Sequence, residues 1–235
     1  MKTGTLFLIP VPLAPLSSAA SFTPYLVDTI NHINEYIVEN EKTARRFLKE
    51  AGLKTPQNEL VIHDYGKHKR DGASMKVFFK GLLDGKDDGL MSEAGCPGIA
   101  DPGSDVIAHA HKLGVKVVPL VGPNSVILGL MASGFNGQSF VFHGYLPIDK
   151  EPRAIRLQQL EQEAVKRKQT QIFIETPFRN NRMLETILKT CSDERMLCVA
   201  CNLTGADELI ISEPIKAWKK RKVDFHKIPA IFLLF

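Results

Sequence analysis

The chain has 235 residues, 44% hydrophobic and 24% charged, with a formal net charge of +4. That is enough for one large domain or two small ones with real cores. No apolar run approaches the ~20 residues of a membrane span, and so mild a basic excess permits a nucleic-acid partner without demanding one. The four cysteines, at 96, 191, 198 and 201, form no disulfide framework, and prolines at 10, 12 and 15 interrupt the N-terminal apolar stretch in a way no signal peptide does, so a soluble, cytoplasmic protein is expected.

Residues 5–9 (TLFLI) read as a strand and run into a rigid proline loop, residues 10–16. That loop is a poor anion cradle, because its three prolines carry no N–H. Residues 24–33 have helical spacing, with Leu26, Ile30 and Ile33 on one face. A strand at 36–38 and a basic helix at 42–51, stopped by Gly52, follow. A third strand is expected at 60–62, a polar surface loop at 63–72, one amphipathic helix at 73–83 and a short strand at Leu90-Met91. Beyond the next loop come a helix at 104–113, a strand at 115–120 and a small apolar helix at 126–132. Strands alternating with helices imply a parallel sheet with right-handed crossovers. The second half reads differently. It has an aromatic strand from Phe140, a polar helix at 153–168, strands at 171–174, 196–201 and 230–235, a helix at 181–188, and short pieces at 207–211 and 215–222. A boundary is expected between Leu120 and Ser133, dividing the chain into domains of residues 1–120 and 121–235.

The stretch MSEAGCPGIADPG, residues 91–103, stands out. Gly95, Gly98 and Gly103 free the backbone to turn and present N–H groups, while Pro97 and Pro102 stiffen it. It reads as a loop from strand to helix, and ligands of open α/β sheets collect at such strand ends. It has neither the GxGxxG order nor the G-K-S/T ending of the common nucleotide loops, so a ligand held here need not carry phosphate.

Other candidates are weaker. Cys198 and Cys201 form a C-x-x-C inside an apolar strand, with no second pair for zinc, and read as buried structural residues. His109 and His111, two apart on a helix, face different ways. No metal site and no nucleophile elbow is expected. Residues 216–222, KAWKKRK, combine the densest basic cluster with the only tryptophan, a composition that can grip single-stranded RNA or simply form a solvated helix face. Lys67 to Arg70, with Arg45 and Arg46, could add to it.

These loops together resemble the tetrapyrrole-methylase superfamily, whose signature is SDAGTPGISDPG. Within it they are most similar to the branch that methylates the ribose 2′-hydroxyl of a cytidine in bacterial small-subunit ribosomal RNA. Residues 118–125 (VPLVGPNS) resemble that branch's VPLPGPSA, residues 142–147 (FHGYLP) its FxGFLP, residues 173–179 (FIETPFR) its FYESPHR, and residues 4–8 (GTLFL) its GTLYL. The match spans nearly the whole chain. Three stretches depart from it. The family's TPIGNL is VPLAPL at 11–16, its EDTR is Glu39-Asn40-Glu41-Lys42, and its RELTK is Cys201-Asn202-Leu203-Thr204-Gly205. A small helical extension past the last strand, typical of the family, is not in this sequence.

The resemblance implies two α/β domains, a mainly parallel N-terminal sheet and a mixed C-terminal one, with S-adenosylmethionine in the cleft between them, in a homodimer. It implies that Gly95, Cys96, Pro97, Gly98, Ile99 and Asp101 line the methionine and sulfonium end of the donor. Pro123, Asn124, Ser125 and Val126 would hold the donor by backbone contacts. Phe173, Ile174, Asn202, Leu203, Pro229 and Ala230 would enclose the adenine, with Cys201 beside them. Transfer to a hydroxyl benefits from a general base, and Glu39 and Glu93, each at a strand end, are the candidates. Ribosomal RNA is the expected partner, with no metal and no membrane. The altered stretches leave open a small-molecule acceptor, or a relative that binds donor or RNA without catalysis.

Overall fold

A computed structural model describes residues 3–66, 72–101 and 103–235. The chain divides into two compact units, Met1–Asn124 and Ser125–Phe235.

The first unit is a parallel sheet of five strands, β1 (Thr5–Leu8), β2 (Glu35–Val38), β3 (Val61–Asp64), β4 (Asp88–Met91) and β5 (Lys116–Pro119), in the order β3-β2-β4-β1-β5. Period-2 alternation sends successive side chains to opposite faces. On one face Ile9, Tyr36, Val38 and Met91 meet Leu26, Ile30, Phe47 and Leu48 of helices α2 (Pro24–His32) and α3 (Glu41–Glu50). On the other, Leu6, Ile37 and Leu90 meet Phe79, Leu82, Val106 and Ala110, carried by the segment from α4 (Gly72–Phe78) to α5 (Lys80–Leu83) and by α6 (Ser104–Lys112). Thr23 caps α2, accepting the Leu26 N–H at 3.1 Å ahead of Pro24 at the first turn. The expected single helix at 73–83 is two pieces broken at Phe79, whose buried ring is turned into the core. A one-turn helix, α1 (Ser18–Ser21), lies between the proline loop and α2, in a stretch for which no element was expected. Of the expected polar loop, Lys67 to Asp71 lie outside the described residues, as does Pro102.

The second unit opens with α7 (Ser125–Ser133). Its sheet contains β6 (Phe140–Tyr145), β7 (Thr170–Ile174), β8 (Met196–Cys201), β9 (Leu209–Pro214) and β10 (Ala230–Leu234), ordered β6-β7-β10-β8-β9. Only β6 and β7 run parallel; β10 is antiparallel to both β7 and β8, and β8 to β9. Helices α8 (Lys150–Arg167) and α9 (Asn180–Thr190) cover one face over Phe173, Leu197, Val199, Phe232 and Leu234. Helix α7 covers the other, and it comes so close that a Cβ on Gly129 would lie 2.9 Å from Ile231 Cγ2.

Trp218 ends α10 (Ile215–Trp218), and its ring is buried in this core with Nε1 donating to Leu197 O at 2.9 Å. This overturns the reading of residues 216–222 as an aromatic-bearing RNA grip. The ring that would stack on a base is a core residue, and Lys216 pairs with Glu194 at 2.9 Å, Lys219 with Asp193 and Arg221 with Glu213. Arg45 is likewise paired, with Glu41 at 2.8 Å. Cys198 and Cys201 are buried, as expected of structural residues. Among the described residues no helix is long and apolar enough to cross a membrane.

Candidate functional site

In the first unit the chain leaves β1 towards β2 on one side and leaves β4 towards β5 on the other, although β1 and β4 are neighbours. The carboxyl ends of these two strands are therefore the switch point of the sheet, where connections diverge and a crevice opens. The loops that follow, residues 9–16 and 92–103, are pinned to each other there. Val11 and Gly95 exchange both backbone hydrogen bonds, N–H to O at 2.9 and 2.8 Å, as an isolated antiparallel bridge.

The glycine-rich loop is held by its own residues. Gly95 and Gly98 have φ of +76° and +82°, a region that admits glycine without a Cβ penalty. Gly103 does not: it lies in the right-handed region as the residue before α6, which corrects the expectation of three freely turning glycines. It is a glycine because a Cβ would stand 3.1 Å from Asp101 Oδ1 and 3.3 Å from Gly98 N. Asp101 Oδ1 accepts the N–H groups of Gly98 at 3.0 Å and Gly103 at 2.8 Å, so this carboxylate cross-braces the loop. Its Oδ2 is buried with no hydrogen-bond partner among the described residues. Ala100 takes a φ of +61°, a strained position for a residue with a Cβ. Pro97 is buried and Ile99 exposed. The Cys96 thiol lies 3.4 Å from Pro123 O and 3.8 Å from Gly122 O, joining the loop after β4 to the turn after β5, and burial pushes its pKa up. Asn124, whose side chain interacts with Cys96, closes this unit.

Glu39 and Glu93 lie at the ends of neighbouring strands. Glu39 Oε2 accepts the Glu93 N–H at 3.2 Å, and Thr43 Oγ1 donates to Glu93 Oε1 at 3.4 Å. Asn40 caps α3, its Oδ1 accepting from Lys42 N at 3.0 Å and Thr43 N at 3.4 Å. Beside them is a cavity of about 310 Å³ walled by residues 11–16 and by Thr43, Arg46, Phe47, Glu50, Ser92 and Glu93. Thr43 and Glu50 were not singled out in the sequence and Arg46 only as part of a basic patch, although their i, i+3, i+7 spacing puts all three on one side of α3.

In the second unit, Ser125 and Val126 begin α7, with Val126 buried. The other predicted residues gather at one end of the three central strands of the mixed sheet, β7, β10 and β8. Because β10 runs against both β7 and β8, Ile174 at the end of β7 is opposite Ile231, and Cys201 at the end of β8 is opposite Ala230. Asn202 N donates to Pro229 O at 3.0 Å. Asn202 and Thr204 take φ of +46° and +70°, and Asn202 Nδ2 donates to Asp207 Oδ2 at 2.8 Å. The side chains of Phe173 and Leu203 are buried, Phe173 stacked on Phe232 at 5.7 Å between ring centroids. Among the described residues no three His, Cys, Asp or Glu side chains gather as a metal site.

A parallel α/β unit with a glycine-rich loop at its switch point, followed by a mixed-sheet α/β unit, defines the tetrapyrrole-methylase class of fold. The crystal structure of the methyltransferase CobJ has this architecture, with a TM-score of 0.62 over 99% of this chain and 94% of that one, at 16% identity. No family model matches the chain. Among curated proteins it is similar to the ribosomal RNA small subunit methyltransferase I of Synechocystis sp., 32% identical over 205 residues, 87% of this chain and 69% of that one. It is 31% identical over 210 residues to the Vibrio cholerae protein of the same name, 89% of this chain and 68% of the other. The chain belongs to the ribosomal RNA small subunit methyltransferase I family.

Proposed function

We propose that this chain is an S-adenosylmethionine-dependent methyltransferase acting on a ribose 2′-hydroxyl of small-subunit ribosomal RNA. The observation that carries the reading is the similarity to family members along most of its length, 87% of the chain in the Synechocystis comparison. A cytoplasmic homodimer belongs to the same reading and rests on the resemblance.

The donor supplies an electrophilic methyl group on a sulfonium, without phosphate. The 95–101 loop suits such a ligand. Gly95 and Gly98 keep its backbone bare, Asp101 braces it through one carboxylate oxygen, and the second oxygen has no partner among the described residues. We assign Gly95, Cys96, Pro97, Gly98, Ile99 and Asp101 to the methionine end and Pro123 to Val126 to backbone contacts. Phe173, Ile174, Asn202, Leu203, Pro229 and Ala230 are assigned to the adenine, through main-chain groups. The acceptor hydroxyl attacks the methyl carbon in line. The C–O bond forms as the C–S bond breaks, the electron pair stays on sulfur, and the hydroxyl proton goes to a base. Glu93 is the better placed of the two carboxylates. It lines the 310 Å³ cavity and its Oε2 accepts no hydrogen bond among the described residues, whereas Glu39 holds the Glu93 N–H in place.

Calorimetric titration tests the donor, and transfer of a labelled methyl group to small ribosomal subunits lacking the modification tests the reaction. Micromolar donor binding, abolished in Gly95→Trp, and a fall of 10²-fold or more in transfer for Glu93→Gln with donor affinity kept, are expected. A folded chain that binds no donor defeats the proposal. Binding without transfer to any RNA would make the chain a non-catalytic relative, or one with a different acceptor.

A further inference from the structure

A second cavity, about 520 Å³, lies in the second unit between the start of α8 and α9. Five cationic side chains line it, Lys150, Arg153, Arg179, Arg182 and Lys189, against two carboxylates, Asp149 and Glu185. Arg153 is its distinguishing residue. It is 5% exposed, yet it has no carboxylate within ion-pair distance among the described residues. Its three hydrogen bonds go to neutral oxygens. Nε and Nη2 reach Thr186 Oγ1 at 3.1 and 3.0 Å, and Nη1 reaches Ile148 O at 2.9 Å. Thr186 Oγ1 spends its proton on Arg182 O at 2.7 Å, which turns its lone pairs toward the guanidinium. A guanidinium has five N–H donors and stays protonated, so two donors and a full positive charge are left over.

Burying a charge without a counter-ion is costly, and a cation in the first turns of α8 also opposes the helix dipole. The hydrogen bonds of Arg153 tie α8 to Thr186 of α9 but do not cancel its charge. An oxyanion in the cavity would. The planar fork matches two phosphate oxygens. Arg182 and Lys150, both exposed and neither in an ion pair among the described residues, add charge at the rim. Arg179 and Lys189 are partly spent on Glu175 at 2.7 Å and Glu185 at 3.9 Å.

We propose that this cavity binds a backbone phosphate of the RNA, with Arg153 as its fixed anchor and Arg182 and Lys150 as its rim. The RNA identity rests on the methyltransferase reading; the oxyanion chemistry does not. The site lies outside residues 216–222, where Lys216, Lys219 and Arg221 are paired with acids and the tryptophan is buried.

The test measures the affinity of the full chain for a labelled single-stranded RNA across a salt series, beside donor calorimetry on the same samples. Arg182→Gln and Lys150→Gln, both at exposed positions, are expected to weaken RNA binding three- to tenfold each. Each should also flatten the slope of log K against log salt by about 0.7, the value for one lost phosphate contact on a single strand. Donor affinity should not change. Arg153→Met keeps the length and apolar stem, and should fold at least as stably as the parent while losing the rise in melting temperature that inorganic phosphate gives the parent. Unchanged RNA affinity and salt slope in the folded Arg182→Gln/Lys150→Gln chain overturn the proposal. Phosphate binding that depends on Arg153 while RNA binding ignores all three residues also overturns it, and gives the cavity to free phosphate. A parent that binds RNA through these residues but takes no donor leaves the phosphate site standing and removes the methyltransferase reading.

Discussion

Asp88 shows how one residue can sit against its environment. It starts β4 at the amino end of the sheet, 1% exposed, opposite Leu6 on one side and Glu35 on the other. Burial first, and the nearby Glu35 second, hold its carboxyl well above the usual range, with the Gly89 N–H pulling the other way. The native state therefore keeps a proton that the unfolded chain releases once the pH passes about 4. With more protons bound in the native state, stability falls as pH rises above that value. Asp88→Asn, neutral throughout, should be more stable than the parent at pH 7, with the advantage shrinking as the pH drops toward 4. Urea midpoints across that range check it, and a constant or inverted difference would count against a neutral buried Asp88.

Helix α3 links local sequence to the candidate site at the scale of one element. Asn40 stands where the family carries aspartate, and it still caps the helix, accepting the N–H groups of Lys42 and Thr43. The substitution gives up a charge that would favour the helix N-terminus but keeps the acceptor geometry. The helix then presents Thr43 to Glu93 and Arg46 to the cavity. Asn40→Ala should cost about 1 kcal/mol in urea unfolding with little change in slope. The loop after β1 is the other altered element. With Ala14 and Pro15 in place of glycine and asparagine, it still places Val11 in register with Gly95, because that bridge uses only backbone groups.

The four thiols report on the molecule as a whole. Burial pushes Cys191 up to about 12, Cys198 to about 11 and Cys201 to about 12. Cys96 is also raised by burial, but it is half-buried rather than enclosed. Since the thiolate is the reacting species, a disulfide reagent at pH 8 should modify Cys96 alone in the native chain and all four after unfolding. The Cys96 rate should rise with pH, as its thiol loses its proton. Equal reaction of two or more thiols in the native chain would show that the second unit is not closed around its sheet.

Several features of this protein could be read from residue order alone. Period-2 and period-3.6 patterns are local, so β1, β8, α2 and α6 were expected within a residue or two of where they stand. The glycine-rich loop was recognisable because positive φ at Gly95 and Gly98 is a property of the single residue. The family was legible because several short motifs recur in order along the chain. What depended on distant partners was not legible. Trp218 looked like a surface aromatic among lysines, and its burial follows from where β8 and β9 bring the α10 turn. The pairing of Lys216, Lys219 and Arg221 with acids from other segments had no local signal. Arg153 was one arginine in a polar helix until α9 packed against α8 and enclosed it without a counter-ion. Local periodicity is set by backbone geometry and each residue's own side chain. Which charges are cancelled and which are left over is set only when segments far apart in sequence come together, and that the tertiary structure alone decided.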